Sequence, residues 1–180
     1  MEEKIVYFEK TGKENTASVI PLIQERARAR GIKKVVLAST RGDTAKAAAT
    51  SFDGKGLQLV VVPWQYGFRD PQPFPKELVA DLERKGHRVH FGTMLFHTDD
   101  LYGIKTPQVM ANLLRIFGQG IKVCVEIIMM ACDGGCIDSG EKVIAVAGSG
   151  AGADTAVVAT ASASTKMGGL RVHEIICKPL

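Results

Sequence analysis

The chain has 180 residues, of which 46% are hydrophobic and 23% are charged, and its formal net charge is +4. This composition is typical of a soluble globular protein, so we expect one domain over residues 1–180. The longest apolar run, Ile127 to Cys132, is too short to cross a bilayer. The opening MEEKIVYFEK lacks the layout of a signal peptide. We therefore expect a cytoplasmic protein without a membrane partner.

The basic residues and the cysteines favour neither nucleic-acid binding nor a metal site. The densest basic stretch, Arg26 to Lys34, straddles a helix end, where cations complement the helix dipole, and it lacks interleaved aromatics. Cys132 and Cys136 are spaced as C-D-G-G-C, which is neither a redox CxxC nor half of a recognisable zinc site, so metal is the minor alternative. Cys124 and Cys177 lie in apolar, strand-like runs and are expected to be reduced core residues.

The first predicted strand, Lys4 to Phe8, leads through a polar turn into a helix that ends before Gly31. Pro21 leaves the start of this helix open. With Asn15 as the cap, Pro21 kinks the helix, whereas with Ser18 as the cap it lies in the first turn. The turn offers hydroxyls and amides that can border a ligand cleft, although capping explains them equally well. Its candidate contacts are Thr11, Gly12 and Asn15.

The second strand and helix carry the clearest binding signal. Val35 to Ala38 is a continuous apolar run, typical of a strand covered on both faces, and Ala45 to Ala49 predicts a helix. The first amides of a helix have no intrahelical acceptors and carry the positive end of its dipole. The polar loop between the two segments therefore predicts an anion site, most naturally for phosphate. Its candidate contacts are Ser39, Thr40, Arg41, Gly42, Asp43 and Thr44, and Gly42 is expected to let a ligand approach the backbone.

The same loop also has a structural interpretation. It matches neither a Walker A sequence nor G-x-G-x-x-G, and an ordinary turn capped by Asp43 or Thr44 explains it as well. Because a carboxylate repels phosphate, the binding interpretation requires Asp43 to cap the helix or to meet sugar hydroxyls. The remaining polar groups of the loop then hold the anion.

A third strand, Leu57 to Val62, is followed by a long loop that contains the only tryptophan. Long loops at strand C-termini are commonly functional, and a flat ligand ring can stack on aromatic side chains. Packing within the loop is the interpretation that we favour for these rings. The residues that a ligand ring would meet are Trp64, Tyr66, Gly67 and Phe68.

Three further elements are predicted before residue 120. They are a helix from Lys76 to Lys85, a short strand from Arg88 to Phe91, and a helix capped by Thr106 that runs to Gly118. Residues 93–105 fit no single element.

The apolar run from Lys122 to Ala131 predicts a long buried strand with one carboxylate, Glu126. A carboxylate in such a run needs a partner or a shifted pKa, so Glu126 either pairs with a lysine or arginine or faces the ligand cleft. Pairing is the interpretation that we favour.

The C-terminal part predicts three more strands, over Val143 to Ala147, Ala156 to Thr160 and Arg171 to Cys177, the last at an edge of the sheet. The pattern predicts an α/β protein with three α/β/α layers, a mostly parallel sheet and antiparallel additions near the C-terminus. Ligands of such sheets bind at strand C-termini. The loop after Ala147 is therefore expected to converge with the loop after Ala38, and its candidate contacts are Ser149 and Gly150.

Six segments carry a resemblance to a known family: KIVYFEKTGKENT, VVLASTRGDTAKAA, KVCVEI with MMACDGG, VIAVAGSGAGADTAVV, and HEIICKP. Together they resemble stand-alone proteins, largely archaeal and bacterial, that are similar to the C-terminal α/β domain of pyruvate kinase. The resemblance covers nearly the whole chain and implies the fold of that domain. The family is otherwise of unknown function.

The resemblance also implies a ligand. In pyruvate kinase the corresponding strand, loop and helix hold the phosphate of a sugar-bisphosphate effector. By analogy, a phosphate would be gripped by Ser39, Thr40, Arg41, Gly42 and Thr44, with Ser149 and Gly150 approaching from the second loop. The stand-alone family implies flavin mononucleotide (FMN), with Trp64 to Phe68 as neighbours of its ring. The chain has no room for a catalytic barrel of about 250 residues, so we expect no phosphoryl transfer from phosphoenolpyruvate to ADP.

Two functional hypotheses follow. The first, which we favour, is a binding or sensing module for a phosphorylated small molecule, because two polar loops occur without a nucleophile–base pair. The second is a flavin-dependent or other small-molecule enzyme that uses His97, Asp99 or Glu126 as a proton donor or acceptor. The sequence assigns no catalytic residue and no nucleic-acid partner, and it leaves a homo-oligomer open.

Overall fold

A computed structural model describes residues 2–180 and contains one seven-stranded sheet with helices on both faces. The strands are β1 (Val6–Phe8), β2 (Lys34–Ala38), β3 (Gln58–Val62), β4 (Arg88–Val89), β5 (Lys142–Ala147), β6 (Thr155–Thr160) and β7 (Arg171–Pro179). The α-helices are α1 (Thr16–Arg30), α2 (Asp43–Phe52), α3 (Lys76–Arg84), α4 (Asp99–Tyr102), α5 (Thr106–Arg115) and α6 (Gln119–Asp133). Short 3-10 turns cover Lys13–Asn15, Leu95–His97 and Ser164–Gly169.

The sheet has the order β1-β7-β6-β5-β2-β3-β4. Strands β5, β2, β3 and β4 are mutually parallel, β6 runs antiparallel to both β5 and β7, and β1 is parallel to β7. The predicted three-layer α/β/α class and the antiparallel additions are confirmed. In this arrangement the carboxyl ends of β1, β2, β3 and β5 lie at one edge of the sheet, where β6 begins.

Successive residues of the central strand serve two separate cores. Val35 and Leu37 of β2 are buried with side chains of α1, α2 and α3. Val36 points to the opposite face, where it is buried with Cys124 and Ile128 of α6. This double coverage explains why the strand is apolar without alternation, as the sequence predicted.

The predicted strand from Lys122 to Ala131 is wrong, because these residues form most of helix α6. The helix packs on the sheet on one side, while Val125 and Met129 pack with Phe96 and Ala111 on the other. A helix buried on nearly all sides is apolar all round, so periodicity does not distinguish it from a buried strand.

Several element boundaries also differ from the predictions. Strand β7 lies inside the sheet, because β1 pairs along its outer side, with Val6 opposite Cys177. Helix α1 follows Asn15, so Pro21 lies inside the helix. Helix α5 begins at Thr106 itself, after Lys105. No helix in residues 2–180 combines the length and the apolar character that crossing a membrane requires.

Candidate functional site

A cleft of about 640 Å³ opens at the edge of the sheet where β2, β3 and β5 end. Strand β2 lies between β3 and β5, and helices α2 and α6 cover opposite faces of the sheet. Open α/β sheets bind ligands in crevices of this kind. The lining residues are Lys13, Thr16, Ala38, Ser39, Thr40, Arg41, Asp43, Thr44, Val62, Pro63, Trp64, Phe68, Met94, His97, Gln119, Lys122, Val123, Glu126, Ile127, Met130, Gly148, Gly150, Ala151 and Gly152.

The N-terminus of α2 opens into this cleft. The hydroxyl oxygen of Ser39 accepts a hydrogen bond of 3.3 Å from the amide of Ala45 in the first turn of the helix. The N-cap residue is Gly42, and neither Asp43 nor Thr44 caps the helix. Within residues 2–180 the amides of Asp43 and Thr44, the first two of the helix, have no protein acceptor. Arg41 is exposed beside them. Ser39 therefore occupies part of the predicted anion site, and two amides stay available to a ligand.

Gly42 does not have the predicted role of letting a ligand approach the backbone. It lies outside the cleft lining and adopts a left-handed conformation with a φ of 90°. A Cβ at this position would lie 2.3 Å from Cδ2 of Leu78. The close packing of α3 and the positive φ therefore require glycine here.

Asp154 ties two of the predicted loops together. Its side chain is fully buried, and its Oδ2 accepts hydrogen bonds of 3.0 Å from the amides of Gly12 and Ser149. Its Oδ1 accepts a bond of 2.7 Å from the hydroxyl of Thr155. The amides of Gly12 and Ser149 are therefore engaged within the protein, and neither residue lines the cleft.

The same two loops touch through a second set of contacts. The amide of Ala153 donates to the hydroxyl of Thr16 over 2.9 Å. A Cβ on Gly152 would lie 2.3 Å from Cα of Lys13. The loop after β5 and the start of α1 thus form one rim of the cleft.

The cleft brings together only some of the predicted contacts. Those that line it are Ser39, Thr40, Arg41, Asp43, Thr44, Trp64, Phe68 and Gly150, and those that do not are Thr11, Gly12, Asn15, Gly42, Tyr66, Gly67 and Ser149. The side chain of Asn15 donates to the carbonyl of Lys10 over 2.7 Å. The ring of Tyr66 packs against Phe91, with centroids 4.8 Å apart.

Two rings of the long loop form an aromatic wall. Trp64 and Phe68 meet edge to face with centroids 5.2 Å apart, and Phe68 meets the ring of His97 in the same way at 5.5 Å. These rings therefore pack on each other, as we favoured, and also line the cleft, while their contact with a ligand ring stays a prediction.

The cleft contains a cluster of charged and titratable side chains around Glu126 of α6, for which the sequence predicted a partner without identifying it. Nζ of Lys122 lies 2.6 Å from Oε2 of Glu126, and the side chains are only 1% and 4% exposed. Oε1 of Glu126 accepts a 2.9 Å bond from the amide of Phe96 and lies 3.4 Å from Nδ1 of His97. Glu126 therefore both pairs with a lysine and faces the cleft. Of the proposed proton-transfer residues, His97 and Glu126 line the cleft and Asp99 does not.

Burial and charge act in opposite directions on this pair. Burial lowers the pKa of the Lys122 ammonium below its ordinary value, although Glu126 acts to raise it. Burial alone raises the pKa of Glu126, but His97, Lys122 and the Phe96 amide together hold it below its ordinary value. The ammonium of Lys122 and the amide of Phe96 both donate to the carboxylate, which favours the ionised form of Glu126. The spacing of four residues between Lys122 and Glu126 was the available signal, since such residues meet only on a helix.

The cysteines are placed as core and turn residues. Burial raises the pKa of the Cys124 thiol well above its ordinary value and that of Cys177 to about 12. Sγ of Cys132 lies 3.3 Å from the hydroxyl of Ser139, and Cys136 is buried. Across residues 2–180, no group of three or more histidine, cysteine or acidic side chains is arranged to hold a metal ion.

Comparison with protein-family models finds none that matches this sequence. The resemblance to the C-terminal domain of pyruvate kinase therefore stays a prediction. The functional interpretation depends on the geometry of the cleft.

Proposed function

We propose that this protein is a binding or sensing module for a phosphorylated small molecule, with FMN as the leading candidate. The observation that carries the proposal is the free N-terminus of α2, which opens beside Arg41 into a cleft of about 640 Å³. This volume lies within the range of about 300–1,000 Å³ that is typical of small-molecule sites.

The phosphate would bind at the start of α2. The amides of Asp43 and Thr44 offer two donors, and the positive end of the helix dipole favours an anion there. The guanidinium of Arg41 adds a charge-assisted donor, and the hydroxyls of Thr40 and Thr44 complete the set. The carboxylate of Asp43 lies in the same turn, so it would have to face the sugar hydroxyls or solvent.

The ring of the ligand would lie against the apolar wall of the cleft. Trp64 and Phe68 form one side of this wall, and Met94, Ile127 and Met130 contribute aliphatic and thioether surface. Such surfaces suit a flat aromatic ring. A phosphate corner beside a wall of this kind supports a nucleotide-like ligand over a simple sugar phosphate.

A second candidate is an enzyme that uses the same cleft. It is favoured by one observation, the contact of His97 with the buried Glu126 beside Lys122, since coupled titratable groups in a cleft are common in active sites. We favour the binding module, because within residues 2–180 no hydroxyl group that lines the cleft has a histidine or carboxylate base as its hydrogen-bond partner. We also propose that the chain has no pyruvate kinase activity.

Mass spectrometry of small molecules that copurify with the protein tests the proposal without assuming a ligand. Titration calorimetry with FMN and riboflavin then isolates the phosphate, because the two differ only by that group. We expect FMN to bind and riboflavin to bind more weakly. Equal affinities for the two ligands would exclude a phosphate site at the start of α2. Bleaching of bound flavin by a physiological reductant would favour the enzyme.

A further inference from the structure

The ammonium of Lys122 is buried with fewer acceptors than it has donors. It carries three N–H groups. One is donated to Glu126 over 2.6 Å, and the ring of Phe96 lies 5.2 Å from Nζ. Within residues 2–180 no second oxygen or nitrogen accepts from this ammonium. Because the side chain is 1% exposed and a buried donor without an acceptor is unfavourable, the site is built for one more acceptor.

This donor belongs to a residue in the wall of the cleft. Lys122 lines the cleft from α6, on the face of the sheet opposite to α2. Its partner Glu126 is fixed in turn by the amide of Phe96 and by contact with His97. Little side-chain freedom is left to lose when a ligand arrives, which favours tight and specific recognition.

We propose that Lys122 donates a hydrogen bond to an acceptor atom in the ring portion of the ligand, while the start of α2 holds its phosphate. This inference rests on the proposed function and narrows it. The ligand is then a phosphorylated compound whose planar ring carries a carbonyl oxygen or an unprotonated ring nitrogen at its far edge. Lys122 is the residue that selects for this edge, and a ring that lacks such an acceptor is rejected because a second N–H group of the lysine then stays without an acceptor.

The test compares FMN and riboflavin binding in two variants and the wild type. Lys122→Met removes the donor but leaves Glu126 buried without its cation. The double variant Lys122→Met with Glu126→Gln removes both charges, so it keeps the test informative if the single variant does not fold. Lys46→Met, on the exposed surface of α2 outside the cleft, is the matched control. Circular dichroism checks the fold of each protein before titration.

We expect both Lys122 variants to lose about tenfold or more in affinity for FMN and for riboflavin alike, so that the ratio between the two ligands is unchanged. Lys46→Met is expected to bind both as the wild type does. If the Lys122 variants lost affinity for FMN but not for riboflavin, Lys122 would contact the phosphate and the inference would be overturned. Unchanged affinities for both ligands would overturn it as well. A wild-type protein that binds FMN and riboflavin equally would overturn the proposed phosphate site at the start of α2. A wild-type protein that binds neither would overturn the proposed function and this inference with it.

Discussion

The carboxylate of Asp154 and the amide of Gly12 are 142 positions apart in the chain and are joined by a hydrogen bond of 3.0 Å. The same carboxylate oxygen accepts from the amide of Ser149. One buried side chain thus sets the distance between the loop after β1 and the loop after β5. The rim of the cleft depends on this carboxylate, although Asp154 itself does not line the cleft.

Asp154→Ala is therefore expected to destabilise the protein by about 3 kcal/mol or more. The substitution leaves two backbone amides and the hydroxyl of Thr155 without their acceptor, and each orphaned buried donor costs about 1–3 kcal/mol. Urea unfolding measures the change. Asp100→Ala, at an exposed position of α4, is the control and should change the free energy of unfolding by less than about 0.5 kcal/mol. Similar values for the two variants would contradict the role of Asp154.

Arg41→Ala is expected to weaken FMN binding by about 1.5–3 kcal/mol, the usual contribution of a hydrogen bond to a charged group. Riboflavin binding should stay the same, because riboflavin has no phosphate. Calorimetry with both ligands measures the difference, and Lys46→Ala serves as a control for a cation lost from α2 outside the cleft. An unchanged FMN affinity in Arg41→Ala would mean that the phosphate binds elsewhere.

Gly42→Ala is expected to lower the free energy of unfolding by about 2 kcal/mol or more, because the new Cβ meets Leu78 and the backbone has a φ of 90°. Gly54→Ala separates these two causes. Gly54 has a φ of 65° with open space around it, so only the backbone strain of about 1 kcal/mol applies. Equal losses in the two variants, measured by urea unfolding, would show that contact with Leu78 is unimportant.

Glu126→Gln is expected to cost about 3 kcal/mol of stability at neutral pH, because Lys122 then stays buried without a counter-charge. The pKa of Glu126 is lowered in the folded state, so its stabilisation is complete above its ordinary value of 4.5 and is lost as the pH falls through the folded pKa. The difference in the free energy of unfolding between wild type and Glu126→Gln should therefore shrink below pH 4.5.

Urea unfolding of wild type and Glu126→Gln at several pH values measures this difference. Glu25→Gln, at an exposed position of α1, is the control and should alter stability little at any of them. If the difference in free energy of unfolding between wild type and Glu126→Gln were constant with pH, the ion pair would not be the source of that difference.

Local sequence patterns predicted the elements whose boundaries coincide with a sharp change of composition. The run from Val35 to Ala38 followed by an alanine-rich segment identifies β2 and α2 correctly, because composition changes at each boundary. Helix α6 was missed because it is buried against the sheet and against Phe96 as well, so neither a helical nor a strand period stands out.

The candidate site also contains residues that local sequence predicts and residues that only tertiary packing brings together. The position of Ser39, Thr40, Arg41, Asp43 and Thr44 at the cleft could be predicted because the free amides at a helix N-terminus are a local feature. His97 joins Glu126 only through tertiary packing across 29 positions, so no spacing in the sequence indicates the contact. The role of Gly42 was misassigned because a glycine in a loop fits both ligand approach and close packing, and only the position of Leu78 distinguishes them.

The parallel pairing of β1 with β7 has a consequence for synthesis of the protein. Val6 takes its place in the sheet beside Cys177, so the strand that leads into the first rim loop has no hydrogen-bonding neighbour until the ribosome has released residue 177. Lys13 and Thr16 are the first lining residues to be translated, and the strand that precedes them is the last to gain its pairing. A ribosome-bound chain that stops before β7 should therefore hold Arg41 and α2 in place yet retain ligand poorly.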